Sequence, residues 1–565
     1  MHSIPPHRFY YLHNFEQALE WLAARYGDVL DECEKQFISQ FLELEKASRA
    51  LLVRLVMRKG PWFLTRKVVY EEIPDVLAAG QSLESHGWIS SCESISLDVL
   101  FDLHTKQELL EMPLCQGLSA SLKKKELLAH VKATCVDNLN KPYSGWCEHS
   151  SEIVWHVKVA SLCERLRLMF FGNLHQQWSE FVLADLGIFK YEQVPLSAES
   201  RAFTCKQDVD DYLQLHQLRE TLDQLGPSED LIAQATAVQT ANPWLLTRKA
   251  KLLMRIGQSF ERSHDWTQAY SAYACSNYPG ARYRKLRTLE RLGDFAQALV
   301  LAHDCLQSPE SEEESQRLQR MLPRLKRAVG QTVTVRRSAL KPEIASLRLD
   351  VELVASEVPC SVEHCLRDHW NTAATPVFYV ENALINSLFG LLCWDALFAP
   401  LPGAFFHPFQ SGPADLRSPD FVSRRMQLFE TCLQQLETGA YRETVLRNFA
   451  DKHGMQAPFV FWGALQPELL QLALECIPAQ HLRLFFARLL QDLGSNRTGL
   501  PDLIRFWPAE KRYMLVEVKA PGDKLQDNQV RWLEYCCAHE IPVQVCHVQW
   551  RQATSPVQTV CSEAL

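Results

Sequence analysis

Apolar and polar positions alternate most sharply toward the C-terminal end of the chain. From Tyr513 to Lys519 the period is two, which places Leu515, Glu517 and Lys519 on one face of a predicted strand and Met514, Val516 and Val518 on the other. Leu503-Ile504-Arg505-Phe506-Trp507 predicts a second strand, and Pro508-Ala509-Glu510-Lys511 reads as the turn between them, with Pro where turns favour it. A turn centred between Ala509 and Glu510 sets Asp502 directly opposite Glu517. Ala520-Pro521-Gly522-Asp523 then breaks the chain, with Asp523 the expected N-cap of a helix from Lys524 to His539. Gln529 falls one to two turns into that helix, and Val543 to Val548 returns as a strand. Further upstream, Val380 to Asp395 predicts a helix in which Glu381, Leu384, Ile385, Leu388, Leu391 and Leu392 fall along one stripe.

These elements carry a recognisable chemistry. Directly opposed residues of an antiparallel pair have Cβ atoms about 4.5–5.5 Å apart, close enough for two carboxylates to grip one divalent cation. Like charges so placed repel, and a bound cation is the natural reason to bring Asp502 and Glu517 together. Lys519 shares their face, where its ammonium could orient or deprotonate an attacking water or stabilise charge growing on a phosphate. The Val518 side chain points to the core, while its backbone carbonyl is a candidate further ligand. Glu381, at the head of an apolar stripe, is costly to bury unless something compensates its charge, and a metal ion would do so. An alternating Glu and Lys on a strand is more often a solvated face; it is the ordered set of Asp502, turn, Glu-x-Lys and following helix that argues for a metal-dependent phosphodiesterase.

The run Glu381-Asn382-Ala383-Leu384-Ile385-Asn386-Ser387-Leu388-Phe389-Gly390-Leu391-Leu392-Cys393-Trp394-Asp395, then Gly499-Leu500-Pro501-Asp502-Leu503, Leu515-Val516-Glu517-Val518-Lys519 and Gln529, resembles the nuclease domain of the Fanconi-associated nucleases. Those enzymes carry a virus-type replication-repair (VRR-NUC) module, a branch of the restriction-endonuclease-like PD-(D/E)xK superfamily with an α/β fold. The resemblance implies Glu381, Asp502, Glu517 and the Val518 carbonyl as ligands of Mg2+ or Mn2+, with Asp502, Glu517 and Lys519 catalytic and Gln529 beside them. It also implies 5′ flap endonuclease and 5′-to-3′ exonuclease activity in interstrand crosslink repair. Eukaryotic members begin with a ubiquitin-binding zinc finger that nothing in this sequence matches, so a bacterial-type member is expected.

Composition sets the remaining bounds. At 565 residues and 47% hydrophobic content the chain is long enough for about three domains with ample cores. No long uncharged apolar run and no signal peptide are legible, so no membrane partner is expected and the location reads as cytoplasmic, at the nucleoid. The 18 cysteines are scattered without a Cys-x-x-Cys, and no structural zinc is predicted; Cys360, His364 and Cys365 are the nearest approach to a cluster. A net charge of −8 excludes a protein that coats DNA indiscriminately and confines binding to local basic surfaces.

Several such surfaces are legible. Arg54, Arg58 and Lys59, with Arg66 and Lys67, interleave with Trp62, Phe63 and Tyr70 in a predicted winged-helix-like unit that ends near Trp88-Ile89. Lys123, Lys124 and Lys125 lie in a stretch, Leu118 to Leu128, that resembles a SAP-type DNA-binding module. Asp265-Trp266-Thr267-Gln268-Ala269 is echoed by Asp294-Phe295-Ala296-Gln297-Ala298, the pattern of a tetratricopeptide-like (TPR-like) array, which would also offer a surface for protein partners. Between the copies stand Arg282, Arg284, Arg287 and Arg291, the last three on one helical stripe, expected to hold DNA phosphates, one of them at a 5′ end. A second basic cluster, Arg317, Arg320, Arg324, Lys326, Arg327, Arg336 and Arg337, follows an acidic run (Glu310, Glu312, Glu313, Glu314) that reads as a loop or linker.

The expected organisation is therefore multidomain: a helical DNA-binding region at 1–150, a helical TPR-like domain at 151–345, and the α/β nuclease at 346–565 with a helical insertion around 396–498. The expected partner is branched or flapped DNA. Two alternatives stand beside it: a non-catalytic helical-repeat scaffold in DNA repair, and an RNA-processing nuclease of the same fold.

Overall fold

The computed structural model describes residues 8–134, 140–147, 152–180, 189–332, 342–354 and 360–551. The chain divides into two compact units. The first comprises residues 1–190, 195–210 and 406–409, and the second comprises 191–194, 211–405 and 410–565.

In the first unit, helices Tyr10–Tyr26, Glu32–Glu43 and Lys46–Val56 precede β1 (Trp62–Leu64), helix Val76–Ser85 and β2 (Ile89–Ser90). This is the expected winged-helix-like order. Asp31 caps the second helix in a capping box with Glu34, and the inward stripe Phe37, Ile38 and Phe41 is buried. A ribbon of β3 (Ser94–Ser96) and β4 (Asn140–Pro142) follows, with helix Lys124–Thr134 between its strands. The boundary expected at 150 does not hold. β5 (Val154–Val157) is the central strand of a three-stranded sheet, antiparallel to β1 on one side and to β2 on the other. Without β5 the backbone groups of two short strands would lie unpaired. The partners are more than sixty residues from it in sequence, and local periodicity is blind to such pairing.

His407 ends up inside this unit, with its ring 5.6 Å from that of Phe170 and 5.1 Å from that of Phe171. Its Nδ1 accepts from the Phe409 N–H at 3.2 Å, so the neutral ring carries its proton on Nε2, which is buried without a partner.

The second unit opens with helices. Asp265 and Asp294 cap the helices Trp266–Ala274 and Phe295–Gln307, accepting from the Gln268 and Gln297 N–H groups, while Ala269 and Ala298 are fully buried. The sequence echo is thus two equivalent helix starts. Gly293 (φ +82°) sits in the left-handed conformation before the second, where His264 (φ 63°) takes the same backbone with a side chain in the first. The acidic run is not a linker. Ser311 caps a 17-residue helix, Glu312–Ala328, with Glu312, Glu313 and Glu314 in its first turn and Lys326 and Arg327 in its last. That charge order complements the helix dipole. Arg317, Arg320 and Arg324, each about half exposed, pair at the surface with Glu313, Asp527 and Glu290; Arg336 and Arg337 lie outside the described residues.

The nuclease portion is built on a five-stranded mixed sheet in the order β6 (Arg348–Val354), β10 (Val543–Arg551), β9 (Arg512–Lys519), β8 (Leu503–Trp507) and β7 (Val377–Tyr379). β10 runs parallel to β6 and β9, while β9/β8 and β8/β7 are antiparallel. Leu353, Leu366, Val377, Leu503, Val516, Val518, Cys546 and Val548 form one core, to which helix Val362–Trp370 contributes Leu366. The expected insertion is helical, with Met426–Thr438, Tyr441–Asp451, Pro467–Cys476 and Ala479–Gln491. It packs on helix Leu384–Leu392 through Phe389, whose ring meets those of Phe429, Phe459 and Phe486, and every residue of that helix is buried. No helix of the described residues is long and apolar enough to cross a membrane.

Burial holds the His407 pKa down at about 3, against 6.5 for a free imidazole. The folded state therefore binds fewer protons than the unfolded one between those values, so its stabilising contribution is present above pH 6.5 and is lost as pH falls toward 3. By pH 4 the loss is on the order of 3 kcal/mol. The melting temperature of His407→Phe relative to the native protein should rise progressively from pH 7.5 to pH 4.5; a pH-independent difference would contradict this assignment.

Candidate active site

The β8–β9 ladder pairs Leu503 with Val516 and Ile504 with Leu515, so the next pair along it is Asp502 and Glu517, the register expected from the turn. Pro508–Glu510 forms a single 3₁₀ turn, and Lys511 (φ 49°) takes the left-handed position that closes it. β9 is central, and everything from Leu515 to Lys519 is buried, including Glu517 at 1% exposure and Lys519 at 7%. Asp502 is buried to the same degree, 7%. Asp502 Oδ2 accepts from the Val518 N–H at 2.7 Å. Lys519 Nζ lies 2.8 Å from Glu517 Oε1, outside hydrogen-bond alignment, so that buried oxygen has an ion-pair neighbour but no aligned donor. The same ammonium donates to Gln529 Oε1 at 3.0 Å.

Gln529 belongs to helix Asp527–Ala538, which begins later than expected. Gln526, not Asp523, is its cap, and the Gln526 N–H donates to Gln529 Oε1 at 2.9 Å. One amide oxygen thus ties the helix start to the lysine. Gly499 (φ +90°) allows the chain to reach Asp502, since a Cβ there would lie 2.8 Å from the backbone carbon of Asn528.

Burial raises the pKa of both carboxyls. Asp502 is pushed up to about 6, first by desolvation and then by Glu381 and Glu363, against the Val518 N–H. Glu517 is pushed up to about 8, by desolvation and then by Asp502, with Lys519 opposing. Two facing buried acids that resist ionisation, with Lys519 as the near counter-charge, are a donor set that fits a divalent cation.

Glu381 is placed differently from expectation. The helix starts at Leu384, and Glu381 stands exposed in the preceding turn, where Asn382 has φ 50°. A left-handed residue interrupts the helix that apolar spacing alone extends back to Val380. Among the described residues no three His, Cys, Asp or Glu side chains converge as a ready-made cage. Glu381 nonetheless acts electrostatically on both Asp502 and Glu517, and the Val380 N–H donates to the Asp502 carbonyl at 2.8 Å. Glu363, from helix Val362–Trp370, is a further carboxylate at the site that periodicity did not single out.

The expected DNA-contacting side chains separate into two groups. Arg54 is bonded to Glu72 and stacked over Tyr11 at 3.8 Å, and Arg282 is bonded to Glu310 and Glu314, so both are internal struts. Arg291 lies over the Trp266 ring at 5.6 Å and is not among the residues that line the cavity of Arg284 and Arg287. The carboxylate partners of Arg54 and Arg282 stand 18 and 32 residues away, beyond what local spacing reveals. Arg58, Lys59, Lys123 and Lys125 remain exposed, with Lys124 half-buried at the start of helix Lys124–Thr134. Arg284 and Arg287 line a cavity of about 1130 Å³ together with Arg317, Arg417, Arg497, Asn382 and Asn386. Arg284 is paired with Glu261 and Arg317 with Glu313, whereas no carboxylate among the described residues pairs with Arg287 or Arg417. Sequence reasoning missed Arg417 and Arg497, which lie in the insertion and in the loop before Asp502.

Comparison with known proteins identifies the family. A VRR-NUC domain is matched over residues 436–550, and a FAN1, HTH domain over residues 9–90. The Fanconi-associated nuclease 1 homolog of Pseudomonas aeruginosa is 49% identical over 545 residues, covering 96% of each chain. The Arabidopsis thaliana homolog is 25% identical over 610 residues, covering 97% of this chain and 68% of its own. The crystal structure of paFAN1 bound to 2nt 5′ flap DNA with gap superposes with a TM-score of 0.88 at 49% identity, covering 98% of this chain and all (100%) of that one. A second, with a 1nt 5′ flap, gives 0.87. The chain belongs to the Fanconi-associated nuclease family of structure-specific, divalent-metal-dependent nucleases.

Proposed function

We propose that this enzyme hydrolyses a phosphodiester of 5′-flapped DNA, as flap endonuclease and 5′-to-3′ exonuclease in crosslink repair, using Mg2+ or Mn2+ held by Asp502, Glu517, Glu381 and the Val518 carbonyl. The observation that carries it is the buried Asp502–Glu517 pair with Lys519 beside it. The flap DNA held by paFAN1 favours DNA over RNA as substrate and argues against the scaffold alternative. The same reading carries the expectation that the enzyme works in the cytoplasm, at the nucleoid.

The protein's own groups have distinct tasks. The Val518 N–H fixes one oxygen of Asp502 and leaves the other for a cation. Gln529 holds the Lys519 ammonium at the rim of the pair, where it can orient water or donate to a phosphate oxygen as negative charge grows. When bound, the cation supplies Lewis acidity that neutralises the phosphate and lowers the pKa of the attacking water. Arg287, Arg417 and Arg497 would seat a DNA phosphate in the neighbouring cavity, while Arg58, Lys59 and Lys123 to Lys125 would contact backbone from the first unit.

Asp502→Ala and Lys519→Ala should each reduce cleavage of a 5′ flap by about 10²–10³-fold or more while leaving DNA binding in chelator unchanged. Undiminished incision by both would sink the site. Because burial raises the two carboxyls to about 6 and about 8, a cation must displace protons, and Mn2+ affinity should rise from pH 6 to pH 8.5. Calorimetric titrations at those pH values check this, and a flat profile would contradict it. Charge reversal of Arg287 and Arg417 should weaken flap binding and lower the salt dependence of log K by about one for each phosphate left without its arginine, whereas reversal of Arg291 should leave that slope unchanged.

A further inference from the structure

Of the three carboxylates, Asp502 and Glu517 are fixed by the sheet and by burial, whereas Glu381 is exposed, lies outside any helix or strand and has no backbone ladder to hold it. Its two oxygens are nevertheless both engaged. The Tyr379 hydroxyl donates to Oε2, and the Asn382 side-chain Nδ2 donates to Oε1 at 3.2 Å.

Both donors are themselves anchored. Tyr379 ends β7, paired with Leu503 of β8, and its ring stacks on that of His364 with centroids 5.1 Å apart. His364 is in turn fixed by Ser361, whose Oγ lies 2.7 Å from its Nδ1. Asn382 bridges two parts of the site, since its Oδ1 accepts from the Leu500 N–H at 3.2 Å, two residues before Asp502. Its backbone carbonyl accepts from Asn386 Nδ2 at 2.7 Å, and the same amide reaches the Arg497 carbonyl at 2.9 Å. The left-handed backbone of Asn382 is what points its side chain back at Glu381 and across to Leu500 at once.

We propose that Tyr379 and Asn382 are positioning residues that clamp the Glu381 carboxylate, one on each oxygen, in register with the Asp502 loop. A carboxylate has about four lone-pair sites, so one donor on each oxygen leaves the remaining sites for a cation. Partners of this kind orient a metal-binding side chain, and their loss costs about 10–100-fold in metal affinity. The inference rests on the metal reading above and assigns to the clamp the job that strand geometry does for the other two carboxylates.

The test is Mn2+ binding to the full-length protein without DNA, by calorimetry or by loss of the free-ion electron paramagnetic resonance signal. It is run on Tyr379→Phe, which removes only the hydroxyl, and Asn382→Gly, which keeps the left-handed backbone, beside Asp502→Ala. The clamp predicts Mn2+ affinity about 10–100-fold weaker in each variant, an unchanged melting temperature in chelator for Tyr379→Phe, and a cleavage rate that recovers as Mn2+ is raised. Binding as tight as, or tighter than, that of the native protein in both variants, with Asp502→Ala still defective, would overturn the clamp and leave the metal reading standing. Native protein that takes up no Mn2+ at any concentration would overturn both.

Discussion

The structure depends on two acids facing each other inside a protein. Asp502 and Glu517 are brought together by the β8–β9 register, and both are buried. Ionised side by side they would repel in a medium that screens poorly. The fold lessens this with one N–H, from Val518 to Asp502 Oδ2, and one ammonium, from Lys519 beside Glu517 Oε1. Much of the nuclease portion can be read as support for that arrangement. β10 flanks β9 on its other side, Gln529 holds the lysine, and Gly499 lets the loop carrying Asp502 pass against helix Asp527–Ala538.

The reach of the sequence follows the range of the interaction. The Asp502–Glu517 register was legible because a short turn joins the two strands, so it depends on local turn chemistry alone. The Asp-aromatic-x-Gln-Ala echo was legible for the same reason, as a cap and the buried alanine three residues after its aromatic are local. What failed was non-local. β5 finds partners on both sides from a distance, and β7 is an edge strand of only three residues, too short to carry a period; β6 does alternate, Leu349, Val351 and Leu353 against Arg348, Asp350 and Glu352, and is legible on that ground. Arg54, Arg282 and the cluster after Glu314 look like DNA-binding cations until their carboxylates are located in space. Glu381 fell between these cases. Apolar spacing marks it as the head of a stripe, but the left-handed Asn382 that separates it from the helix has no signature in that spacing.

The arginines show how an acidic protein of net charge −8 can hold a polyanion. A guanidinium paired with a carboxylate is largely neutralised at range, and most of the conspicuous basic side chains are so paired. Paired cations contribute to stability modestly and to long-range attraction hardly at all. Arg287 and Arg417 line a cavity without a carboxylate partner among the described residues, next to Asn382 and Asn386. The same cavity is lined by Glu310, Glu313 and Glu314, which pair with Arg282 and Arg317; under the proposed function the unpaired arginines would concentrate potential locally and favour one seated phosphate over indiscriminate coating of duplex.

The same electrostatics reconciles a stable fold with an awkward site. Burial raises Glu517 to about 8 and Asp502 only to about 6, so near neutral pH Glu517 keeps its proton while Asp502 is mostly ionised, and the pair by itself need not carry two charges at once. A proton on Glu517 turns the facing pair from a repulsion into a neutral acid beside a carboxylate, which the surrounding core tolerates. Under the proposed function, a divalent cation held there would take the place of the proton and leave the pair ionised and compensated. Lys519 would then no longer be the nearest counter-charge of Glu517; it donates to Gln529, whose carbonyl oxygen leaves the ammonium's other protons for a phosphate. The lysine would thus serve two states of one site, with Gln529, fixed by the Gln526 N–H at a helix start, keeping the ammonium in place through the exchange.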